Sequence, residues 1–347
     1  MPPAVGSIGE PLVSVIVPVH NGAAVLADTL HSALQQTYRR LEVIVVDDGS
    51  RDATQSIAES VAVRDSRVRV VAQANRGVAA ARNRALTLAT GELIAPLDAD
   101  DLWDPSKIGR QVRRMLAGGD EVGLVYCWWL WIAEDGLVLD ASPRWRIEGR
   151  AADLLLQVNY IGNASVPLFR RRTLEEVGGY DETLRARNAE GCEDWDVSLK
   201  IAERAAVAVE PAHLVAYRTR HGAMSARTDT MWRSHRLMLA AARTRRPTTA
   251  PALIRRSDRQ FALYLAGVAF RARQHLQTCR WGARAGLSAL SLWAIPYIAR
   301  ALGRTALRGD VRSTARIRPG EPFNERDVPP SLIPYDRFYA RHITGGG

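Results

Sequence analysis

Cysteine is nearly absent from this 347-residue chain: Cys127, Cys192 and Cys279 are far apart, odd in number and never arranged C-x-x-C. That argues against a disulfide framework or a thiolate zinc site, and a reducing cytoplasm is the expected setting. Lysine is rarer still, with only Lys107 and Lys200 among 47 basic residues. The remaining basic residues are arginines spread along the whole chain, which reads as compositional habit as much as local selection of phosphate-binding forks. Long apolar runs are missing too. No uncharged stretch reaches the roughly 18 residues a membrane span needs, and the longest candidate, residues 285–299, contains Pro296. Residues 1–11 lack the basic start and apolar centre of a signal peptide, so a non-secreted chain is expected. Two glycine signatures are absent as well. After the first strand pattern the chain reads PVHNGAAVL in place of G-x-G-x-x-G, and it has no Walker loop, which excludes the usual dinucleotide and P-loop cradles.

What the chain does have is length for about two domains, or one large α/β unit with an appendage, and two electrostatic halves. Between Arg227 and Gly320, 19 arginines oppose three aspartates, a balance of +16 that leaves −6 for the rest of a chain whose total is +10. Such a basic region suits nucleic acid, anionic lipid or polyanionic glycan.

The first hundred residues alternate strand and helix patterns. LVSVIVPVH (12–20), LEVIVVDDGS (41–50), VRVVA (68–72) and ELIAPL (92–97) read as strands, the most apolar of them buried on both faces; residues 24–36, 52–63 and 77–89 read as helices. This alternation predicts an open, mainly parallel twisted sheet with helices on both faces, whose ligand crevice lies beyond the carboxyl ends of the strands. Pro18 to Asn21, Asp47 and Asp48, and Asp98 to Asp101 all fall at such ends.

Crowded carboxylates need a reason. Asp98, Asp100 and Asp101 in ELIAPLDADDLWDP would raise one another's pKa, whereas a bound divalent cation favours their ionised oxygens and bridges them to phosphate. An acidic strand-to-helix turn is the plain alternative. Asp104, followed by Pro105, reads as a helix cap.

Several motifs in order carry a resemblance. VSVIVPVHNGAAVLADTLHSALQQTYRRLEVIVVDDGSRDAT, NRGVAAARNRAL, GELIAPLDADDLWDP, GGYDETL and EGCEDWDVSLKIAERA together resemble glycosyltransferase family 2, inverting enzymes of GT-A fold, over residues 12 to about 225. The resemblance implies a nucleotide-sugar donor, most readily a UDP-sugar with dTDP- or GDP-sugars close behind, and Mn²⁺ or Mg²⁺. It places Pro18, His20 and Asn21 along the base and gives Asp48 the ring N–H of the base. Arg82 matches a basic residue near Asp98 or the nucleotide, and a charge at the edge of an apolar helical stripe wants an anionic partner. Asp98 then contacts ribose or metal, Asp100 is the direct metal ligand, and Asp194 is the general base that single-displacement transfer needs. His221 matches a loop histidine that binds metal or phosphate; an ordinary surface histidine is the alternative. Trp128, Trp129 and Trp131 belong to a strand over 123–133 that either packs the core or offers a sugar-stacking face.

The expected organisation is residues 1–110 as the nucleotide-sugar half of a GT-A domain, 111–226 as the acceptor and catalytic-base half, 227–320 as an arginine-rich helical region, and 321–347 as an extended or disordered tail. Helical patterns over 231–243, 261–275 and 281–302 either pack on the domain or lie on an anionic membrane at the inner face. The acceptor implied is a glycan, lipid-linked or other hydroxyl, in polysaccharide or cell-envelope synthesis. A noncatalytic nucleotide-sugar-binding protein and an anionic-polymer binder acting through the arginine-rich region are the alternatives; without interleaved base-stacking aromatics, nucleic acid is not expected.

Overall fold

The computed structural model describes residues 10–219, 227–286 and 315–324. His221 and residues 287–299 lie outside them.

Four strands, β1 (Val13–Val19), β2 (Leu41–Asp47), β3 (Val68–Ala72) and β4 (Leu93–Pro96), form an all-parallel block in the order β3-β2-β1-β4. Helices α1 (Leu26–Leu34), α2 (Thr54–Arg64) and α3 (Val78–Leu88) make the crossovers. Every residue of β1 is buried, which is why its sequence is a continuous β-branched run instead of an alternating one. All seven expected elements of this half form, with ends within three residues of the pattern.

Beyond β4 the sheet becomes mixed and curls. Strands β8 (Leu168–Arg170), β6 (Val122–Ile132), β9 (Ala206–Arg218) and β5 (Leu102–Trp103) extend it, and β7 (Val138–Ala141) hangs on β6. β6 and β9 run parallel, whereas β4–β8, β6–β8, β5–β9 and β6–β7 are antiparallel. Helix α4 (Lys107–Ala117) is pinned to this half by Gln111, which donates to the carbonyls of Val125 and Val166, both at 2.9 Å. Lys107 is fully buried, donates to Gln111 at 2.7 Å and stands 4.2 Å over the Trp103 ring. Short helices α5 (Ala152–Gln157), α6 (Arg171–Glu176) and α7 (Thr183–Ala186) lead to α8 (Glu193–Ala202).

The first two helices of the basic region are longer than the pattern predicts, and the third, expected over 281–302, begins earlier and ends at Arg284, with residues 287–302 outside the described residues. α9 covers Thr228–Arg245, α10 Pro251–Arg271 and α11 His275–Arg284. Pro251 opens α10 in its first turn, and Arg255, Arg256 and Arg259 mask the apolar period of the turns that follow. The expected helix over 261–275 is interrupted at Arg273, whose φ of +58° supplies the left-handed residue of a helix end. These helices pack on the α/β unit. The Trp195 ring of α8 lies 5.3 Å from His235 and 5.7 Å from Phe261, while Trp281 is fully buried 5.3 Å from Trp232. Arg245 donates to Glu203 at 2.8 Å, and Arg246 donates to Asp153.

Residues 315–324 form an extended strap on the α/β unit, so that 315–320, expected within the helical region, are not helical. The Val138 N–H donates to Ala315 at 3.0 Å, and the Phe323 N–H donates to Asp104 at 2.7 Å. Among the described residues no helix is long and apolar enough to cross a membrane.

Candidate functional site

The carboxyl ends of β1, β2 and β4 meet at one crevice. β1 ends in a turn where Asn21 takes φ +51°, held by the Asn21 N–H donating to Ser50 Oγ at 2.9 Å and the Arg51 N–H donating to Asn21 Oδ1 at 2.9 Å. His20 and Asn21 are exposed; Pro18 lies inside β1 opposite Val46 with its ring buried, so it shapes the strand end and offers no ring face to a ligand. His20 Nδ1–H donates to the Asp48 carbonyl at 3.0 Å, which leaves Nε2 to accept from the Asn21 amide at 3.1 Å, while the Asn75 amide lies against the ring, 3.0 and 3.2 Å from its two nitrogens. The imidazole is thereby set at the rim.

Asp47 accepts the Ser50 N–H at 3.0 Å and closes its turn. Asp48 is 3% exposed and anchors the loop before α3: Oδ1 accepts from Gln73 and from the Arg76 N–H, and Oδ2 accepts the Gly77 N–H, all at 2.8 Å. One lone pair of Oδ2 remains for a further donor, and Arg185 stands 4.0 Å away. Gly77 is required here. Its φ is +92°, and a Cβ on it would come within 2.6 Å of Glu190 Oε1.

Arg82 joins the two halves of the site. It is 2% exposed on α3, donates through Nη2 to Asp98 Oδ1 at 2.6 Å and through Nη1 to Glu193 Oε1 at 3.1 Å, and lies 5.3 Å from the centre of the Tyr180 ring. The two carboxylates hold its guanidinium charged against the cost of burial. Glu193 Oε2 accepts the Gly191 N–H at 2.8 Å, so both its oxygens are engaged. Asp194, next in the first turn of α8, is bonded only locally, from the Trp195 N–H at 2.7 Å. It keeps partial solvent contact. Burial by the surrounding chain, then Glu193 and Asp98, push its carboxyl up to about 7 in spite of Arg82. That combination suits a group that takes a proton near neutral pH.

Asp98 and Asp100 are both half-buried on the turn after β4. Asp101 is fully buried and structural: it accepts from Ser165 Oγ at 2.5 Å and from the Arg218 N–H at 3.0 Å, and burial with Asp100 and Asp98 nearby raises its carboxyl well above the usual range. Ser165 Oγ also accepts the Asp98 N–H at 3.0 Å, and Arg218 donates to the Asp100 carbonyl at 2.9 Å. The turn is thus clamped by two distant segments. Asp104 accepts from the N–H of Ser106 at 2.8 Å at the start of α4 and is tied to the strap. Among the described residues no three His, Cys, Asp or Glu side chains cluster as a metal cage. The pair Asp98 and Asp100 instead suits a hard cation that completes its shell with water and phosphate oxygens; His221 lies outside the described residues.

The tryptophans divide. Trp128 and Trp129 are buried, the first donating to the Trp145 carbonyl at 2.8 Å, the second pressed against Gly162; Trp131 is half-buried. The roles of Ser165, Arg218, Tyr180 and the loop residues Gln73 and Asn75 carry no signal in the sequence, because each acts across a gap in the chain that only folding closes.

Residues 14–174 match the family model described as glycosyl transferase family 2. The chain is 39% identical over 168 residues to the putative teichuronic acid biosynthesis glycosyltransferase TuaG of Bacillus subtilis, covering 47% of this chain and 64% of that protein. To the putative glycosyltransferase EpsH of the same organism it is 40% identical over 117 residues, 34% and 33% of the two chains. It therefore spans less than two thirds of each of these relatives. In three dimensions it resembles the mannosyltransferase PcManGT from Pyrobaculum calidifontis in complex with GDP-Man and Mn²⁺ (TM-score 0.55, 22% identity, 86% and 81% of the chains). It also resembles residues 1–349 of TarS from S. aureus in complex with UDP (TM-score 0.54, 19% identity, 84% and 79%). These likenesses establish the fold, the GT-A type.

Proposed function

We propose, from the match of residues 14–174 to the glycosyl transferase family 2 model, that this chain is a metal-dependent inverting glycosyltransferase. It moves a sugar from a nucleoside-diphosphate sugar, preferentially a UDP-sugar, to a hydroxyl of a glycan or lipid-linked acceptor in cell-envelope polysaccharide synthesis. The observation that carries the reading is the Arg82 bridge, which joins Asp98 on the D-x-D turn to Glu193 beside Asp194. Donor-side carboxylates and the candidate base thereby belong to one crevice.

In this reading His20 and Asn21 line the base, Asp48 offers its remaining lone pair to the base ring N–H, and Asp98 and Asp100 hold Mn²⁺ or Mg²⁺. When bound, the cation neutralises charge on the leaving diphosphate. Asp194 Oδ takes the proton from the acceptor hydroxyl as it attacks the anomeric carbon from the side opposite the leaving group, and no covalent sugar–enzyme intermediate forms. Glu193 is disqualified as base by its two engagements and serves to orient Arg82. His221 is assigned to the metal or diphosphate. Peripheral contact with an anionic membrane belongs to the proposal through the exposed arginines of α9 to α11.

A panel of nucleotide sugars with Mn²⁺ or Mg²⁺, read by release of nucleoside diphosphate, tests it. Turnover with at least one donor is expected; none with any donor would overturn the reading. Donor binding with metal but without turnover, with nothing lost when Asp194 is changed, would instead favour a noncatalytic nucleotide-sugar binder.

A further inference from the structure

Trp131 interrupts an otherwise closed surface. Every other residue of β6 is buried, and Trp131 alone is not. Its register partner on β9 is Tyr217, the one partly exposed residue between Ala212 and Arg218, and its partner on β7 is Asp140, also half-buried. Directly paired residues share a sheet face, so Asp140, Trp131 and Tyr217 form one row across three strands. The neighbouring row, Leu130, Ala141 and Ala216, points to the other face and closes a small core under the strap.

The row is built. The Trp131 ring meets Trp129 edge-on, centroids 5.5 Å apart, and Trp129 is held in turn by Gly162, where φ is +103° and a Cβ would come within 2.6 Å of the indole. Trp131 shares its face of β6 with Trp129, two residues before it. It also stands at the crevice end: Tyr217 precedes Arg218, whose N–H holds Asp101 of the D-x-D turn. His20 and Asp48 stand at the other strand ends, in the parallel block. A rigid indole with a partly open face, flanked by a phenol and a carboxylate, has the make-up of a sugar contact, in which C–H groups stack on the ring and hydroxyls donate to the carboxylate.

We infer that Trp131, with Tyr217 and Asp140, is the platform on which a pyranose ring of the acceptor stacks. The inference rests on the transferase reading only for the word acceptor. Saturation-transfer NMR on the full chain, with methyl pyranosides and disaccharides of common hexoses and N-acetylhexosamines and no donor present, tests it directly. At least one saccharide binds, Trp131→Ala and the volume-preserving Trp131→Leu weaken it by about tenfold or more, and Trp131→Phe stays within about threefold, the scale of one aromatic stack. Absence of any saccharide signal, or equal binding by Trp131→Leu, overturns the platform. Nucleoside diphosphate release by the wild type is followed in parallel. Silence there, with saccharide binding that depends on Trp131, overturns the transferase reading and keeps the platform; release with an acceptor KM indifferent to Trp131 does the reverse.

Discussion

Asp98 and Glu193 share one guanidinium. Arg82, buried on α3, reaches both, at 2.6 and 3.1 Å, and so locks the turn that ends β4 to the first turn of α8. Two segments far apart in the chain become one electrostatic unit.

Removing the shared cation leaves two carboxylates facing each other with little water. Arg82→Ala is expected to cost about 3 kcal/mol or more of stability, the scale of breaking a buried pair. It should also depress turnover, because Asp98 and Asp194 lose their common reference. Arg82→Lys restores the charge but not the two-pronged fork and should recover stability better than activity. Urea unfolding and nucleoside diphosphate release, measured on both variants, check this; full activity in Arg82→Ala would contradict it.

Asp194→Asn removes the proposed base without changing shape. Transfer should fall by roughly 10²-fold or more while donor binding, followed by calorimetry, persists. Glu193→Gln is expected to act differently, by loosening Arg82, and to lower stability as well as rate.

The pH profile follows from the same group. The Asp194 carboxyl is raised to about 7, and only its ionised form accepts a proton. Below about 7 kcat should drop close to tenfold per pH unit, and rise to a plateau above it. An acidic limb near 4 would mean that the burial and the Glu193 effect do not reach Asp194 in the working enzyme.

Chelation tests the cation. EDTA should abolish donor turnover, Mn²⁺ or Mg²⁺ should restore it, and Asp100→Ala should lose donor affinity, read by calorimetry with and without the cation.

A separate prediction concerns the helical region. His235 is fully buried between Trp195, Trp232 and Phe261, shares a hydrogen bond with Ser257 Oγ at 3.0 Å, and has Asp258 at 3.7 Å and Arg236 beside it. Burial, then Arg236, lower its pKa from 6.5 to about 3. A depressed histidine stabilises the fold fully above 6.5 and loses that contribution as pH falls toward 3. The wild type should therefore lose on the order of 4 kcal/mol more than His235→Phe between pH 7 and 3, read as the difference between their melting temperatures across that range.

The chain's own letters carried the parallel block and its crevice. β1, β2 and β4 are apolar runs because both faces are covered, and the residues that end them, His20, Asn21, Asp48, Asp98 and Asp100, are legible as candidate site residues because strand ends in such sheets open on the ligand crevice. The helical spacing of α3 marked Arg82 as a cation at a core margin, though not its partners. Helix ends in the basic region were legible only roughly, since apolar spacing runs across the Arg273 turn, and residues 315–324 gave no sign of docking.

What tertiary structure alone decided is which carboxylates hold the frame and which are left to act in the proposed site. Asp98, Asp100 and Asp101 are near-identical in local sequence. Asp101 became a clamp because Ser165 and Arg218, brought from other segments, close on it and exclude water, while its neighbours keep solvent contact. Glu193 and Asp194 parted in the same way: one was captured by Arg82 and the Gly191 N–H, the other is bonded to the Trp195 N–H and keeps partial solvent contact. A carboxylate's role follows from its desolvation and its partners, and both are properties of the folded chain, not of its order.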